Sequence, residues 1–220
     1  MNLPPGSTDR TKINRYRQRS VDDRAAMYAI LDSTVLCHVG LVFDEQPFVL
    51  PMAFARVGDE ILLHGSTGAR FMQALEQGAE VCVTVTKLDA IVVARSNFDS
   101  SMNYRSVVIF GRGRALAEDE KVEAFDAMSN GLIPGRVAEV RKSTRKELAA
   151  TSIIAISLDE ASVKVRAHGL GDSPDDLGKG VWAGLIPLRT IADEPVAGDV
   201  EAQGLPVPKS VREWVSNPKV

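Results

Sequence analysis

With 220 residues, 45% of them hydrophobic and 25% charged, the chain has the composition of a globular protein with one sizeable core. A formal net charge of −3 gives no general reason to expect nucleic-acid binding, and no apolar run reaches the length of a membrane span. No charged-then-apolar leader is read, and Cys37 and Cys82 lie in apolar runs without zinc-site spacing, so buried, reduced thiols and a cytoplasmic location are expected.

Residues 1–19 form a basic arm carrying Arg10, Lys12, Arg15, Arg17 and Arg19 with little to bury. Such an arm is solvated or packed on a partner, with a nucleic-acid role the lesser alternative. Residues 20–168 read as one domain. Ser20 and Asp23 form a capping-box-like pair ahead of Met27, Ile30 and Leu31, which predicts a first helix. Strands dominate afterwards. Val35, Cys37, Val39, Leu41 and Phe43 alternate with Leu36, His38, Gly40 and Val42, so both faces are largely apolar. Asp44-Glu45-Gln46 makes a turn, and residues 47–56 run back with Phe48, Leu50, Met52 and Phe54 on one side. Pro51 interrupts this strand and cannot donate to a ladder, which predicts a bulge or an edge. Either leaves backbone groups free to face a ligand, although a plain edge strand is the simpler explanation.

Gly58-Asp59 turns into an apolar strand over residues 61–64, which breaks at Gly65-Ser66-Thr67-Gly68 and opens a helix. Ser66 or Thr67 is the expected N-cap; Phe71, Met72, Leu75 and Ala79 follow at helical spacing, and Gly78 closes the element. Arg70 then falls in the first turn, where the helix dipole disfavours a cation. An anion held between Arg70 and the open N–H groups would resolve that conflict. A surface arginine beside an ordinary capped helix explains it equally well.

Val81, Val83 and Val85 alternate with Cys82, Thr84 and Thr86, and Lys87-Leu88-Asp89 reads as a link to a strand over 90–95. A polar loop (96–102) precedes a long strand over 104–115. A helix is predicted over 118–130, with Val122, Phe125 and Met128 on one face, and a charged helical connection over 136–147. Two final strands cover 151–158 and 162–166. About eight strands with short turns predict a mainly β fold: a closed or nearly closed antiparallel barrel with peripheral helices. From Gly169 to residue 220, Gly, Pro and Asp dominate, and order in this C-terminal arm depends on docking. There is no internal repeat or low-complexity segment.

Five segments in this order resemble the pyridoxamine 5′-phosphate oxidase-like family of FMN-binding split barrels, in its flavin-nucleotide-binding branch near the nitroimidazole-resistance proteins. They are Ala29-Ile30-Leu31-Asp32 with Cys37-His38-Val39-Gly40; Gln46-Pro47-Phe48-Val49-Leu50-Pro51; Leu63-His64-Gly65-Ser66; Met102-Asn103-Tyr104-Arg105-Ser106-Val107-Val108; and Lys164-Val165-Arg166 with Trp182-Ala183-Gly184. The resemblance implies a homodimer of split barrels with FMN in two clefts at the interface. It implies a phosphate held by His64, Gly65, Ser66 and Arg70, and an isoalloxazine against Leu50, Pro51, Met52 and Ala53. Polar contacts are expected from a Tyr104-Arg105-Ser106 turn, and cover from Trp182 of the partner's C-terminal arm. The chain departs from the branch before Met102: Asp99-Ser100-Ser101 stands where a His-His-Ser run is common. Chemistry or haem ligation that relies on those imidazoles is thereby in doubt.

Few other residues carry chemistry. His38 reads as a hydrogen-bonded core histidine, His64 as a contact to an anion or ribityl hydroxyl, and His168 as a loop residue. Asp172, Asp175 and Asp176 read as a solvated acidic loop, and Arg112 and Arg114 as rim ion pairs. No metal site and no serine nucleophile are found, and no catalytic residue is assigned. The leading expectation is an FMN-dependent oxidoreductase moving electrons from a nicotinamide donor to a small organic acceptor. The alternatives are a flavin carrier, store or redox sensor without turnover, or haem or deazaflavin in the same cleft.

Overall fold

A computed structural model of the chain describes residues 3–219; residues 1, 2 and 220, the extreme ends of the two arms, lie outside the described residues. The first strand, β1 (Ser20–Val21), pairs with residues 163–164, so Ser20 is not free to cap. Asp23 caps α1 (Arg24–Asp32) alone, accepting from Ala25 at 2.9 Å and Ala26 at 3.3 Å. The expected capping box therefore reduces to a single carboxylate. Met27, Ile30 and Leu31 are the buried face of this helix.

Strands β2 (Leu36–Phe43) and β3 (Gln46–Val57) form a hairpin whose two turn residues, Asp44 (φ 48°) and Glu45 (φ 61°), are both left-handed. That is the primed geometry whose twist matches the strands it joins. Cys37, Val39 and Leu41 point into the barrel, which puts His38 on the outer face, exposed. The expectation of a core histidine is corrected by this parity: one residue along a strand changes the face.

Strand β4 (Glu60–Ser66), helix α2 (Arg70–Glu76) and strand β5 (Glu80–Val93) follow. Lys87-Leu88-Asp89 is not a link between strands. The ladder to β6 (Ser101–Arg112) slips by one residue between Leu88 and Ala90, and β5 runs on through the bulge. The strand expected over 104–115 starts earlier and breaks at Gly113, after which β7 (Arg114–Ala115) pairs with β8 (Thr151–Ser157). Helix α3 (Lys121–Leu132) is as expected, but the charged connection is not one helix. Gly135 (φ 85°) opens a short 3-10 turn over Arg136–Glu139, and Thr144 with Glu147 forms a capping box that starts α4 (Arg145–Ala149) afresh.

After β9 (Ala161–Arg166), the C-terminal arm adds β10 (Gly184–Pro187), which pairs with residues 90–93 of β5. Helices α5 (Val200–Gln203) and α6 (Lys209–Ser216) complete it; Trp214 Nε1 donates to Leu132 O at 2.9 Å and ties α6 to the end of α3. Among the described residues ten strands thus form one sheet, in the order β1-β9-β6-β5-β2-β3-β4-β8-β7, with β10 beside β5. Two of the eight expected strands merge into β5, and the three added ones, β1, β7 and β10, are too short to carry a readable period. This is a mainly antiparallel split barrel with peripheral helices. Its core lies inside, around Val39, Leu63, Val83, Ile109 and Ile154, and a smaller outer cluster packs Ala55, Leu62 and Ile153 against Ala124 and Met128 of α3. Among the described residues no helix is long and apolar enough to cross a membrane.

Candidate functional site

The split itself makes the site. Strands β3 and β4 pair only from Phe54↔Leu63 to Val57↔Glu60. Beyond that point they part: residues 46–53 of β3 stay with β2, and residues 64–66 of β4 stay with β8. The facing edges of both strands have no strand partner among the described residues, so they offer backbone N–H and C=O groups to whatever lies between. Leu50, Pro51, Met52 and Ala53 stand on one edge, His64, Gly65 and Ser66 on the other, and Arg70 at the mouth.

Pro51 pairs with His38 in unbroken register, so the strand has an edge there and not a bulge. The missing N–H falls within that edge segment. Parity then sorts the neighbours. Leu50 shares an open hollow of about 250 Å³ with Phe43, Phe48, Arg70 and Phe71. Ala53 shares another, of about 240 Å³ on the outer face, with His64 and the α3 residues Phe125, Met128, Ser129 and Leu132. Met52 is half-buried against the core, and its carbonyl accepts from the Cys37 thiol at 3.4 Å.

The turn between β4 and α2 is built differently from expectation. The cap position of α2 is Ala69, whose methyl accepts nothing, because Ser66 Oγ is turned back onto Gly68 N at 3.2 Å and Thr67 Oγ1 donates to Ala150 O at 3.4 Å. Arg70 is consequently the first helical residue, beside first-turn N–H groups that no side chain satisfies. Glycine at 65 leaves room for Met72, since a Cβ there would stand 2.7 Å from Met72 Cγ and force that side chain to shift. Arg70 itself is 74% exposed, bonded to an equally exposed Asp44 at 3.0 Å and stacked 4.6 Å from the Phe43 ring. An exposed pair of this kind holds by at most about 1 kcal/mol, so Arg70 can exchange Asp44 for another anion.

His64 is exposed toward the split but meets the Phe125 ring edge-on at 6.2 Å, and partial desolvation against that apolar wall lowers its pKa. The shift favours the neutral imidazole, which is able to accept or ligate. Phe43, Phe48, Phe71 and the α3 wall were not singled out as site residues. Their signal in the sequence was only apolar spacing, which a core explains as well.

Tyr104, Arg105 and Ser106 do not form a turn; they lie within β6, opposite Leu88, Lys87 and Thr86. Arg105 is already engaged, giving two hydrogen bonds to Asp89 at 3.0 and 2.7 Å. From β6 to β3 the order passes through β5 and β2, three strand steps or roughly 14 Å. Trp182 is farther off. It is 67% exposed and packs on Gly184, which pairs with Val93, some nine residues or about 30 Å along β5 from Thr84. A single copy therefore joins the two edges and Arg70 but does not bring Tyr104, Ser106 or Trp182 to them.

The remaining candidates are satisfied locally. Arg112 bonds Glu80, and Arg114 bonds Glu60 and Glu120, as rim pairs. Asp172 receives the Arg95 backbone N–H at 2.9 Å and pairs with its guanidinium, and His168 is exposed. Cys37 is buried, with its thiol pushed up to about 12 by desolvation, and Cys82 is half-buried; both are free. Among the described residues no group of three or more His, Cys, Asp or Glu is placed to hold a metal ion.

The sequence model described as pyridoxamine 5′-phosphate oxidase matches residues 23–165. The FAD and haem binding protein of Mycobacterium smegmatis is 43% identical with a TM-score of 0.87, over 90% of this chain and 97% of that one. The flavocytochrome Anf3 of Azotobacter vinelandii is 37% identical with a TM-score of 0.85, over 94% of this chain and 96% of its own. A candidate 5-nitroimidazole antibiotic resistance protein of Bacteroides thetaiotaomicron shares the fold at 20% identity and a TM-score of 0.55, over 66% of this chain and 86% of its own. No curated protein is significantly similar to this chain. The extent of the sequence match and the split-barrel topology together make this chain a member of the pyridoxamine 5′-phosphate oxidase-like family.

Proposed function

We propose that the protein binds a flavin nucleotide where β3 and β4 separate, and that it passes electrons from a nicotinamide donor to a small organic acceptor. The observation that carries this reading is the pair of unpartnered strand edges, 50–53 and 64–66, converging on a weakly held arginine. Planar rings suit the apolar edge, and a phosphate suits Arg70 with the unsatisfied N–H groups beside it. When bound, the flavin supplies the hydride or electron chemistry; the protein's part is to position it and exclude water. Sequence reading alone led to FMN. The likeness to proteins described as an FAD and haem binding protein and a flavocytochrome favours FAD.

The working unit in this proposal is a homodimer. Each hollow, at about 240–250 Å³, falls short of the roughly 300 Å³ at which ligand pockets begin, so a second wall is needed. The outer face also leaves Leu36, Val42, Val49, Met102 and Ile186 between 47% and 67% exposed, an apolar surface of the kind that marks an interface. A partner laid on that face would supply the Tyr104 and Ser106 that one copy keeps away. Haem in the same region is a second reading, favoured by the neutral His64 imidazole facing Phe125, Met128 and Leu132.

The visible spectrum of freshly purified protein, with mass spectrometry of the released chromophore, tests these readings. A two-band flavin trace with the mass of FAD is expected, and FMN would restore the sequence-based choice. A Soret band that disappears in His64→Ala supports the haem reading, and a colourless protein that takes up neither FAD nor FMN overturns the proposal. Steady-state reduction of an acceptor panel with NADH or NADPH separates the oxidoreductase from a flavin carrier. Light-scattering mass near that of one chain would remove the dimer.

A further inference from the structure

At the far end of β9, the pairing of Ser20 with Lys164 brings Arg19 into the neighbourhood of Arg166, close enough for the charge of one to act on the other. Arg166 is only 4% exposed; its Nη1 donates to Asn103 Oδ1 and, at 3.4 Å, to Met102 O, but its Nε is buried without an acceptor. The Nε of Arg19 is likewise buried without an acceptor. Neither guanidinium has an ion-pair partner among the described residues. Burial, and after it the positive charge of Arg19, lower the pKa of Arg166, with only Tyr104 acting the other way. Arg19 is also held in place deliberately. Its guanidinium stacks 4.2 Å from the ring of Tyr16, a bulky residue kept in the left-handed region (φ 58°) at the start of the turn that carries it.

Each buried N–H of a charged group left unpaired costs on the order of 1–3 kcal/mol, and two like charges side by side add to that. Such an arrangement is stable when an anion completes it, and two guanidinium forks match the oxygens of a phosphate or diphosphate. We infer that Arg19 and Arg166, with Asn103 holding Arg166 in position, form a binding site for a phosphate or diphosphate group. The site lies apart from the Arg70 corner, and it rests on the flavin reading only if its occupant is the flavin's own diphosphate. It gives the basic N-terminal arm a role: Arg19 is delivered to the barrel by the pairing of Ser20 with Lys164. The group has two possible sources, the diphosphate of a flavin bound across a dimer or the phosphates of a separate nucleotide. Arg166 is register-paired with Tyr104, so either would arrive beside the β6 residues.

The test is a thermal-shift and calorimetric titration of the full chain with inorganic pyrophosphate, on protein as purified and after removal of any chromophore. A saturable stabilisation is expected in the wild type, weakened roughly 10-fold or more in Arg19→Gln. Arg19 is half-exposed, so that variant keeps the fold, and unchanged circular dichroism verifies it; Arg166→Lys, which keeps the charge but loses the fork, serves as the second variant. No saturable shift in the wild type, or an equal shift in both variants, overturns the site. If pyrophosphate binds only the stripped protein, the source is the flavin's own diphosphate; if it binds both forms, the source is a separate nucleotide. Pyrophosphate binding by a protein that takes up no flavin would sustain this site while the flavin reading fell.

Discussion

Where the chain crosses at Gly113 the sheet is pulled tight, whereas between Ala53 and His64 it is left open. At the crossing, a Cβ on Gly113 would stand 2.5 Å from the Leu75 carbonyl oxygen and 2.9 Å from Ile154 Cγ2, so the backbone of β6–β7 lies directly on α2 and β8. At the opening, two strands that pair over 54–57 and 60–63 diverge and keep only their outer partners. The contrast teaches where each kind of work is done. The tight seam carries stability and has no room for a ligand, and the open seam gives up ladder hydrogen bonds and presents those groups to one.

Substitutions at the two seams should therefore fail in different ways. The largest effect is expected at the tight seam. Gly113→Ala should lose about 2–3 kcal/mol, read as a lowered urea midpoint, because the obstructing atom is backbone and cannot swing away. The flavin content of the fraction that folds should be unchanged; lost flavin with unchanged stability would reverse the assignment of the two seams. At the open seam Arg70→Ala should do the opposite. Flavin affinity should fall by about 1.5–3 kcal/mol, while chromophore-free stability moves by no more than about 0.5 kcal/mol. Equilibrium dialysis and denaturant titration measure the two quantities, and unaltered affinity would return Arg70 to the surface. Asp44→Ala should tighten flavin binding slightly, since it frees Arg70 from its competitor.

A smaller effect should be visible in pH. Burial lowers the His64 pKa in the folded state, so the unfolded chain takes up the proton first. The stability that neutral His64 contributes is complete above about pH 6.5, its unfolded value, and is lost as pH falls below it. His64→Gln should flatten that part of a melting-temperature profile, and an unchanged profile would show that Phe125 does not shield the imidazole from water. The smallest effect belongs to the closed core. With its thiol near 12, Cys37 should resist alkylation at pH values close to neutral until the protein is unfolded, whereas Cys82 should react in the native state.

Arg70 and Arg166 show how unevenly the site could be read from residues alone. Arg70 drew notice because it followed a small-residue turn, yet it is solvent-exposed and paired. Arg166 drew notice only as part of a segment that carries the family resemblance and was given no site role, yet it is the buried one without a carboxylate. Pro51 was legible because a missing N–H is a property of the residue itself. The partnerless edges on either side of the split were not, because a strand's period does not say where its neighbour leaves it.

Periodicity and turn chemistry were enough to lay out most strands, the first helix, α3 and the glycine stop of α2, since these depend on contacts a few residues apart. The ordered segments carried the family resemblance as well. Folding in three dimensions decided the rest: the face that His38 takes, the loss of the α2 cap, the bulge at Leu88, and the short strands β1, β7 and β10. Those outcomes turn on pairing between residues distant in the chain, where a single step of register or one intruding side chain outweighs local preference.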